Sequence, residues 1–326
     1  MTTLSAAQVA LGFAVILFTL FDAFVTILSL RGGGPATSFI SRKIWRLMLV
    51  MHRAKPSHKL LSVSGPVLMV LVVLFWYGML NVGWFLIFHS ADTNILNSNS
   101  LTSASGLETL YFTGVTLSGL GYGDFTASGF PWTLYSTAAV STATLLTSLG
   151  LSYIISVVPV ALEKRQLAHQ INSVVSDQST LIKRLREPSD VAFIWEKLFS
   201  IQLNGTKFST KYGAYPVVAY FHASESVSSF SLAYLKASDI LFYIANHPSP
   251  ELRPPVTAVA TIKHLITSHS KNLEHIIDKR EPALNVRPER YEPLAVITEL
   301  SSADFSWEEY QKLRDVLVTA CLYDGW

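Results

Sequence analysis

Lysine and arginine are absent from residues 1–30 and again from residues 65–163. A soluble domain carries charged side chains over its whole surface, so stretches this long without a cation are not soluble surface. Charged residues make up only 15% of the chain and hydrophobic ones 50%, which is membrane composition. There is one cysteine, Cys321. No intrachain disulfide can form, and its expected role is packing. No G-x-G-x-x-G follows a strand pattern, which removes the nucleotide-binding signature of dinucleotide domains. No run of alternating strands suggests a cyclic-nucleotide barrel. His264 and His269 are five apart, off the spacing that puts two metal ligands on one helix face, and His222, His247, His264, His269 and His275 all read as solvated helix residues. No nucleophile–base pattern stands out, so the chain is not read as an enzyme and no resident cofactor or metal is expected.

What is there is apolar and segmented. Three stretches, Ala6–Leu30, Gly65–Phe88 and Pro131–Ala161, each reach the ~20 apolar residues that cross ~30 Å of hydrocarbon. The first has no basic leader and no clean small-residue cleavage pattern, so it reads as a retained span rather than a signal peptide. Between the first two lie seven cations, Arg31, Arg42, Lys43, Arg46, Arg53, Lys55 and Lys59, and no acid. Lys164 and Arg165 follow the third span. Positive charge marks the cytoplasmic side, so the 31–64 linker and everything after 163 are expected inside. The 89–106 loop, which has no Lys or Arg, and the N-terminus are then outside. The expected location is the cell membrane, multi-pass.

Ser38–Arg53 is a basic amphipathic helix candidate. Phe39, Ile40, Ile44, Trp45, Leu47 and Met48 are placed to enter the interface while Arg42, Lys43, Arg46 and Arg53 meet anionic headgroups along 38–55. It reads either as a passive anchor or as a slide helix coupled to the second span. Asp22 lies inside the first span, where a central carboxylate costs roughly 2.5–3.5 kcal/mol on insertion scales. It is expected to be paired, with a linker arginine as the favoured partner over a proton-relay role. Nothing in the charge pattern points to nucleic acid.

The stretch 111–125 reads Y-F-T-G-V-T-L-S-G-L-G-Y-G-D-F. Ser105-x-x-Glu108 before it is a capping box, so a short helix should run about 106–117 and end at Ser118-Gly119 with its negative C-terminal end facing onward. Alternating glycines permit backbone conformations that turn successive carbonyls to one axis, where they can replace the water shell of a cation. Gly121-Tyr122-Gly123-Asp124, with Tyr111-Phe112 and Thr116 ahead of it, resembles the filter of the pore-loop potassium channel family, most closely the loops of two-pore-domain channels and bacterial relatives. The resemblance covers about residues 65–163. It implies a tetrameric, all-α membrane protein in which an outer helix, a re-entrant pore helix with its filter, and an inner helix surround permeant K+. Gly119, Leu120, Gly121, Tyr122 and Gly123 would supply the ion sites, supported by Thr116, Ser118 and Asp124. One loop per chain makes a quarter of a fourfold ring, so the implied partner is the chain itself.

Two departures bear on selectivity. The threonine-valine pair at the inner end of the family's filter is Gly119-Leu120 here, which removes a ring of hydroxyls that a threonine at 119 would restore. The pore-helix acid that braces the filter in some relatives aligns with Val115, so Asp124 is expected to lack that partner. A weakly selective pore, and a non-conducting sensor or scaffold with a degenerate pore, stay open beside a potassium-selective channel.

In the third span Thr133, Thr137, Ser141, Thr144, Ser148, Ser152 and Ser156 share one helix face. Ser141, Thr144, Ser148 and Ser152 are expected to line a wet cavity below the filter; small-residue helix packing is the other reading. Gly150 and Pro159 are hinge candidates. The third span is expected to run on to about Arg186. Residues 164–326 then read as a helical cytoplasmic domain with candidates Val191–Leu203, Pro216–Ala245, Val256–Lys279, Pro288–Leu300 and Trp307–Leu322, the last opened by a capping box at Ser306. The domain boundaries expected are 1–30, 31–64, 65–163 and 164–326.

Overall fold

The computed structural model describes residues 3–29, 33–175, 177–276 and 291–326. Arg31, the 277–279 end of one helix candidate, the 288–290 start of another and the His275 side chain lie outside the described residues. The regular structure of the described residues is helical apart from two three-residue strands. Its order is α1 (Thr3–Leu28), α2 (Pro35–Ala54), α3 (His58–Ser62), α4 (Ser64–Phe88), β1 (Ile95–Asn97), α5 (Gly106–Ser118), β2 (Phe125–Ala127), α6 (Trp132–Val175), α7 (Gln178–Arg184), α8 (Pro188–Ala214), α9 (Phe230–Ala245), α10 (Val256–Ile276), α11 (Ala295–Thr298) and α12 (Trp307–Tyr323). Among the described residues, three helices are long and apolar enough to cross a membrane: α1, α4 and α6. At 13 residues α5 is about 20 Å long and cannot cross.

The chain divides into two compact units, 1–43 with 67–156, and 44–66 with 157–326. These cuts differ from the boundaries read off the sequence, and the linker is the reason. Trp45, expected at a lipid interface, is fully buried. Its indole N–H donates to the Tyr323 carbonyl at 3.1 Å and its ring leans on Tyr220. Leu49 and Leu61 are buried with it, and the Ser64 hydroxyl donates to the Tyr220 carbonyl at 2.5 Å. The linker's apolar face thus belongs to the second unit. Phe39 and Leu47 stay exposed.

In the first unit α1 and α4 cross at glycines. A Cβ on Gly12 would sit 2.7 Å from the Gly83 carbonyl oxygen, and one on Gly83 would sit 2.6 Å from Ile16. Small residues let backbones meet where lipid gives no hydrophobic drive between helices. Phe13, Trp84 and Tyr135 pack edge to face around this crossing, and the Trp84 indole donates to Thr142 of α6 at 3.0 Å. Asp22 is fully buried in this unit. Its carboxylate accepts from the Ala36 N–H at 2.8 Å, the Thr37 N–H at 3.2 Å, the Thr37 hydroxyl at 2.5 Å and the Trp76 indole at 2.9 Å. The expected pairing of this acid is met in the described residues by neutral donors, two of them the N–H groups that α2 cannot satisfy within its own first turn. Gly34 is required beside it, because a Cβ there would collide with the carboxylate.

The second unit is built around α9, which is buried along nearly its whole length, with α8, α10 and α12 packed about it. Asp239 on α9 accepts from Arg314 at 2.9 and 3.2 Å and from the Tyr310 hydroxyl at 2.7 Å, a closed buried network. The Pro216–Ala245 candidate is not one helix. Pro216–Tyr220 is a 3-10 turn, Ser226–Ser228 another, and α9 begins only at Phe230, where Ser229 accepts from the Leu232 N–H as its cap. The third span also stops earlier than expected, at Val175, and Asp177 caps the separate α7. Asp324 sits among Lys164, His222 and Ser231. Burial alone would raise its pKa, yet Lys164 at 3.6 Å, with His222 and the Ser231 hydroxyl, holds the carboxyl below the usual range. Burial pushes the Cys321 thiol up, which fits a packing role. A cavity of about 20 Å³ beside Lys164, His269 and Asp324 has room for a single water.

Candidate functional site: the glycine ribbon after α5

The site begins with the helix that points at it. Ser105 accepts from the Glu108 N–H, and the Glu108 carboxylate accepts from the Ser105 N–H at 2.7 Å, so the capping box is complete in both directions. Phe112 and Leu117 anchor α5 in the core of the first unit, where Phe112 meets Phe88 edge to face. At the other end the Tyr77 hydroxyl donates to the Leu117 carbonyl at 2.9 Å, occupying one of the carbonyls a helix end leaves open. Gly119 closes α5 as a left-handed cap at φ 73°, its N–H donating to Thr116 at 3.0 Å. The Ser118 hydroxyl turns back to the Val115 carbonyl at 2.7 Å.

From there the backbone alternates in hand. Gly119, Gly121 and Gly123 have φ of 73°, 61° and 79°, while Leu120 and Tyr122 are not in the left-handed region. Glycines at alternate positions let φ change sign along the ribbon, which an ordinary strand does not do. No neighbouring atom lies within 4 Å of a Cβ built on any of the three glycines. They are needed for backbone conformation, not for space. Tyr122 is 68% and Leu120 62% exposed on the single chain.

Two expectations bear on this ribbon. Asp124, expected to lack an acid partner on the helix before it, lies near the Tyr111 phenol of α5, whose pKa its carboxylate raises. A threonine at 119 is also not a free repair, since a β-branched residue is an outlier at φ 73°. Gly119→Thr is therefore expected to lower the melting temperature of the purified protein in detergent. An unchanged melting temperature would mean that residue 119 leaves the left-handed region at small cost.

The hydroxyl stripe is real as a surface. Thr137, Ser141, Thr144, Ser148 and Ser152 are exposed on the single chain. Each donates to the carbonyl one turn back at 2.9–3.2 Å, which leaves the hydroxyl lone pairs facing outward. Gly150 is buried, with Val73 3.5 Å from where its Cβ would be, a packing contact. Helix α6 continues through both Gly150 and Pro159 without a break. Pro159 borders an open groove of about 450 Å³ with Glu163, Gln166, Gln170, Asn204 and Lys207.

Sequence reasoning missed what holds the ribbon's far end. β1 pairs antiparallel with β2 in the register Ile95–Ala127, Leu96–Thr126, Asn97–Phe125, and Ser98 reaches the Gly123 and Asp124 carbonyls. The signal was faint: the strands are three residues long and lie in a loop rich in Asn and Ser.

No family model matches the chain, and no solved structure matches it. Over 203 residues the chain is 26% identical to a protein named as an uncharacterized membrane protein, YdjJ, of Bacillus subtilis (strain 168). The matched region covers 62% of this chain and 59% of that protein, so the likeness spans somewhat more than half of its length. Together with the three apolar helices, this likeness makes the chain a membrane protein.

Proposed function

We propose that the chain is a cation channel whose filter suits potassium, and that it conducts as a homotetramer in the cell membrane. Helices α4 and α6 are then the outer and inner helices, and α5 is a re-entrant pore helix. The carbonyls of Gly119, Leu120, Gly121, Tyr122 and Gly123 form the ion path, on the outer side of the membrane. The second unit is a cytoplasmic domain that assembles or regulates the pore. The observation that carries this reading is the alternation of positive φ at Gly119, Gly121 and Gly123 directly beyond the end of a helix too short to cross the membrane. Such a ribbon offers a dehydrated cation a column of carbonyl oxygens, and the half-charge at the C-terminus of α5 favours a cation beside it.

Fourfold assembly follows from the chemistry. A single ribbon can surround only part of an ion, and the exposed Tyr122 needs a neighbouring copy to wedge against. The hydroxyl face of α6 would then look onto the cavity below the filter. The positive 31–64 segment and Lys164 orient the chain with its second unit inside.

The test is flux with purified protein in liposomes, paired with a mass measurement in detergent. The expected result is potassium flux above sodium flux and a particle of four chains. Comparable flux of both ions would favour the weakly selective pore, and no flux in a stable assembly would favour the scaffold. A functional monomer would end the channel reading.

A further inference from the structure

The loop between α4 and α5 is tied to the far end of the glycine ribbon. The Ser98 hydroxyl donates to the Gly123 carbonyl at 2.5 Å, and the Ser98 N–H donates to the Asp124 carbonyl at 2.9 Å. Next to these bonds stands the β1–β2 ladder, and the Ser128 N–H extends it to the Asn94 carbonyl at 3.0 Å. The loop is also closed on itself. Asn97 donates to the Thr102 carbonyl at 2.9 Å, Ala104 donates to the Ile95 carbonyl at 3.0 Å, and the Asn97 side chain accepts from the Asn99 and Ser100 N–H groups. One residue beyond Ala104 comes Ser105, the cap of α5. The same short loop therefore joins the start of the pore helix to the exit of the ribbon.

We infer that Ser98 is a positioning residue for the outermost ion site: its hydroxyl holds the Gly123 carbonyl and weakens that oxygen's hold on a cation. The inference rests on the channel reading above. A carbonyl oxygen that accepts a short hydrogen bond has one lone pair committed and its direction set by the donor. It offers less to an ion on the axis. Weak binding at the last site favours conduction, because an ion must be able to leave as well as enter. Ser98 is half-buried, and without its hydroxyl the β1–β2 pairing and the Ser98 N–H bond remain. The loop should therefore keep its shape when the hydroxyl is removed.

The experiment measures current through the full-length protein in planar bilayers while external KCl is varied. Ser98→Ala is expected to lower the half-saturating external potassium concentration roughly two- to tenfold, the range one net hydrogen bond supplies. Ser98→Thr, which keeps the hydroxyl, should match the wild type, and both variants should keep the wild-type mass in detergent. If wild-type protein conducts and Ser98→Ala saturates like it, the inference about Ser98 is overturned and the channel reading stands. If Ser98→Ala shifts and Ser98→Thr shifts equally, the hydroxyl is not the cause and the inference again fails. Loss of assembly in Ser98→Ala would make Ser98 a structural residue and overturn it as well. A wild-type protein that passes no cation fails the channel reading itself.

Discussion

Gly123→Ala is expected to abolish potassium-selective conduction while leaving the oligomer assembled. Gly123 sits at φ 79°, where an L-residue with a Cβ costs roughly 1–2 kcal/mol. With no neighbouring atom within 4 Å of a Cβ at this position in the chain, the cost is conformational and repacking of neighbours cannot relieve it. If four ribbons share one axis, the strain is counted four times in a structure that functions only when all four hold shape. The Gly123 carbonyl is also the acceptor for Ser98, so a ribbon that flips there loses its outer tie. The fold of each chain should survive, because the Gly12–Gly83 crossing and the Trp84–Thr142 bond lie elsewhere. The measurement is the reversal potential under opposed potassium and sodium gradients, alongside detergent mass. Native selectivity in this variant would mean that residues 119–123 are not the filter.

The features legible in the sequence were those written in local signals. The three spans follow from runs of apolar residues with no cation, and the structure places helices over all three. Both capping boxes are four-residue signals, and both are formed. The glycine spacing 119, 121, 123 announced the alternating backbone, because few residues other than glycine take positive φ. The hydroxyl stripe follows from a period of 3.6. What stayed hidden depends on partners far apart in the chain. Trp45 looked like an interfacial anchor because its burying partners, Tyr220 and Tyr323, lie more than 170 residues away. Ser98 was one polar residue among many in a loop until the fold brought it to Gly123. The Pro216–Ala245 region read as one helix because an apolar run conceals a break, and only the Ser229 cap marks where α9 starts.

Asp22 gives the second large effect. The sequence identified it as costly, and the described structure gives it four hydrogen-bond donors: the Ala36 and Thr37 N–H groups, the Thr37 hydroxyl and the Trp76 indole. Replacing it with alanine leaves all four buried or half-buried without that acceptor. Each stranded donor costs about 1–3 kcal/mol, and breaking a buried charged network typically costs about 3–5 kcal/mol in all. Asp22→Ala should therefore lower the melting temperature in detergent by roughly 10 °C. Asp22→Asn keeps one acceptor oxygen but turns an NH2 group toward donors, so it should fall between wild type and alanine. Asp92→Asn, an exposed acid in the 89–106 loop, serves as the control and should melt like the wild type. The proton-relay reading makes a different forecast: Asp22→Asn would melt normally while its flux lost pH dependence. Because Asp22 ties α1 to the first turn of α2 and to α4, the structural reading also expects the alanine variant to expose the first turn of α2 to protease at temperatures where the wild type resists. A variant that melts and digests like the wild type would show that these four bonds do not hold the turn.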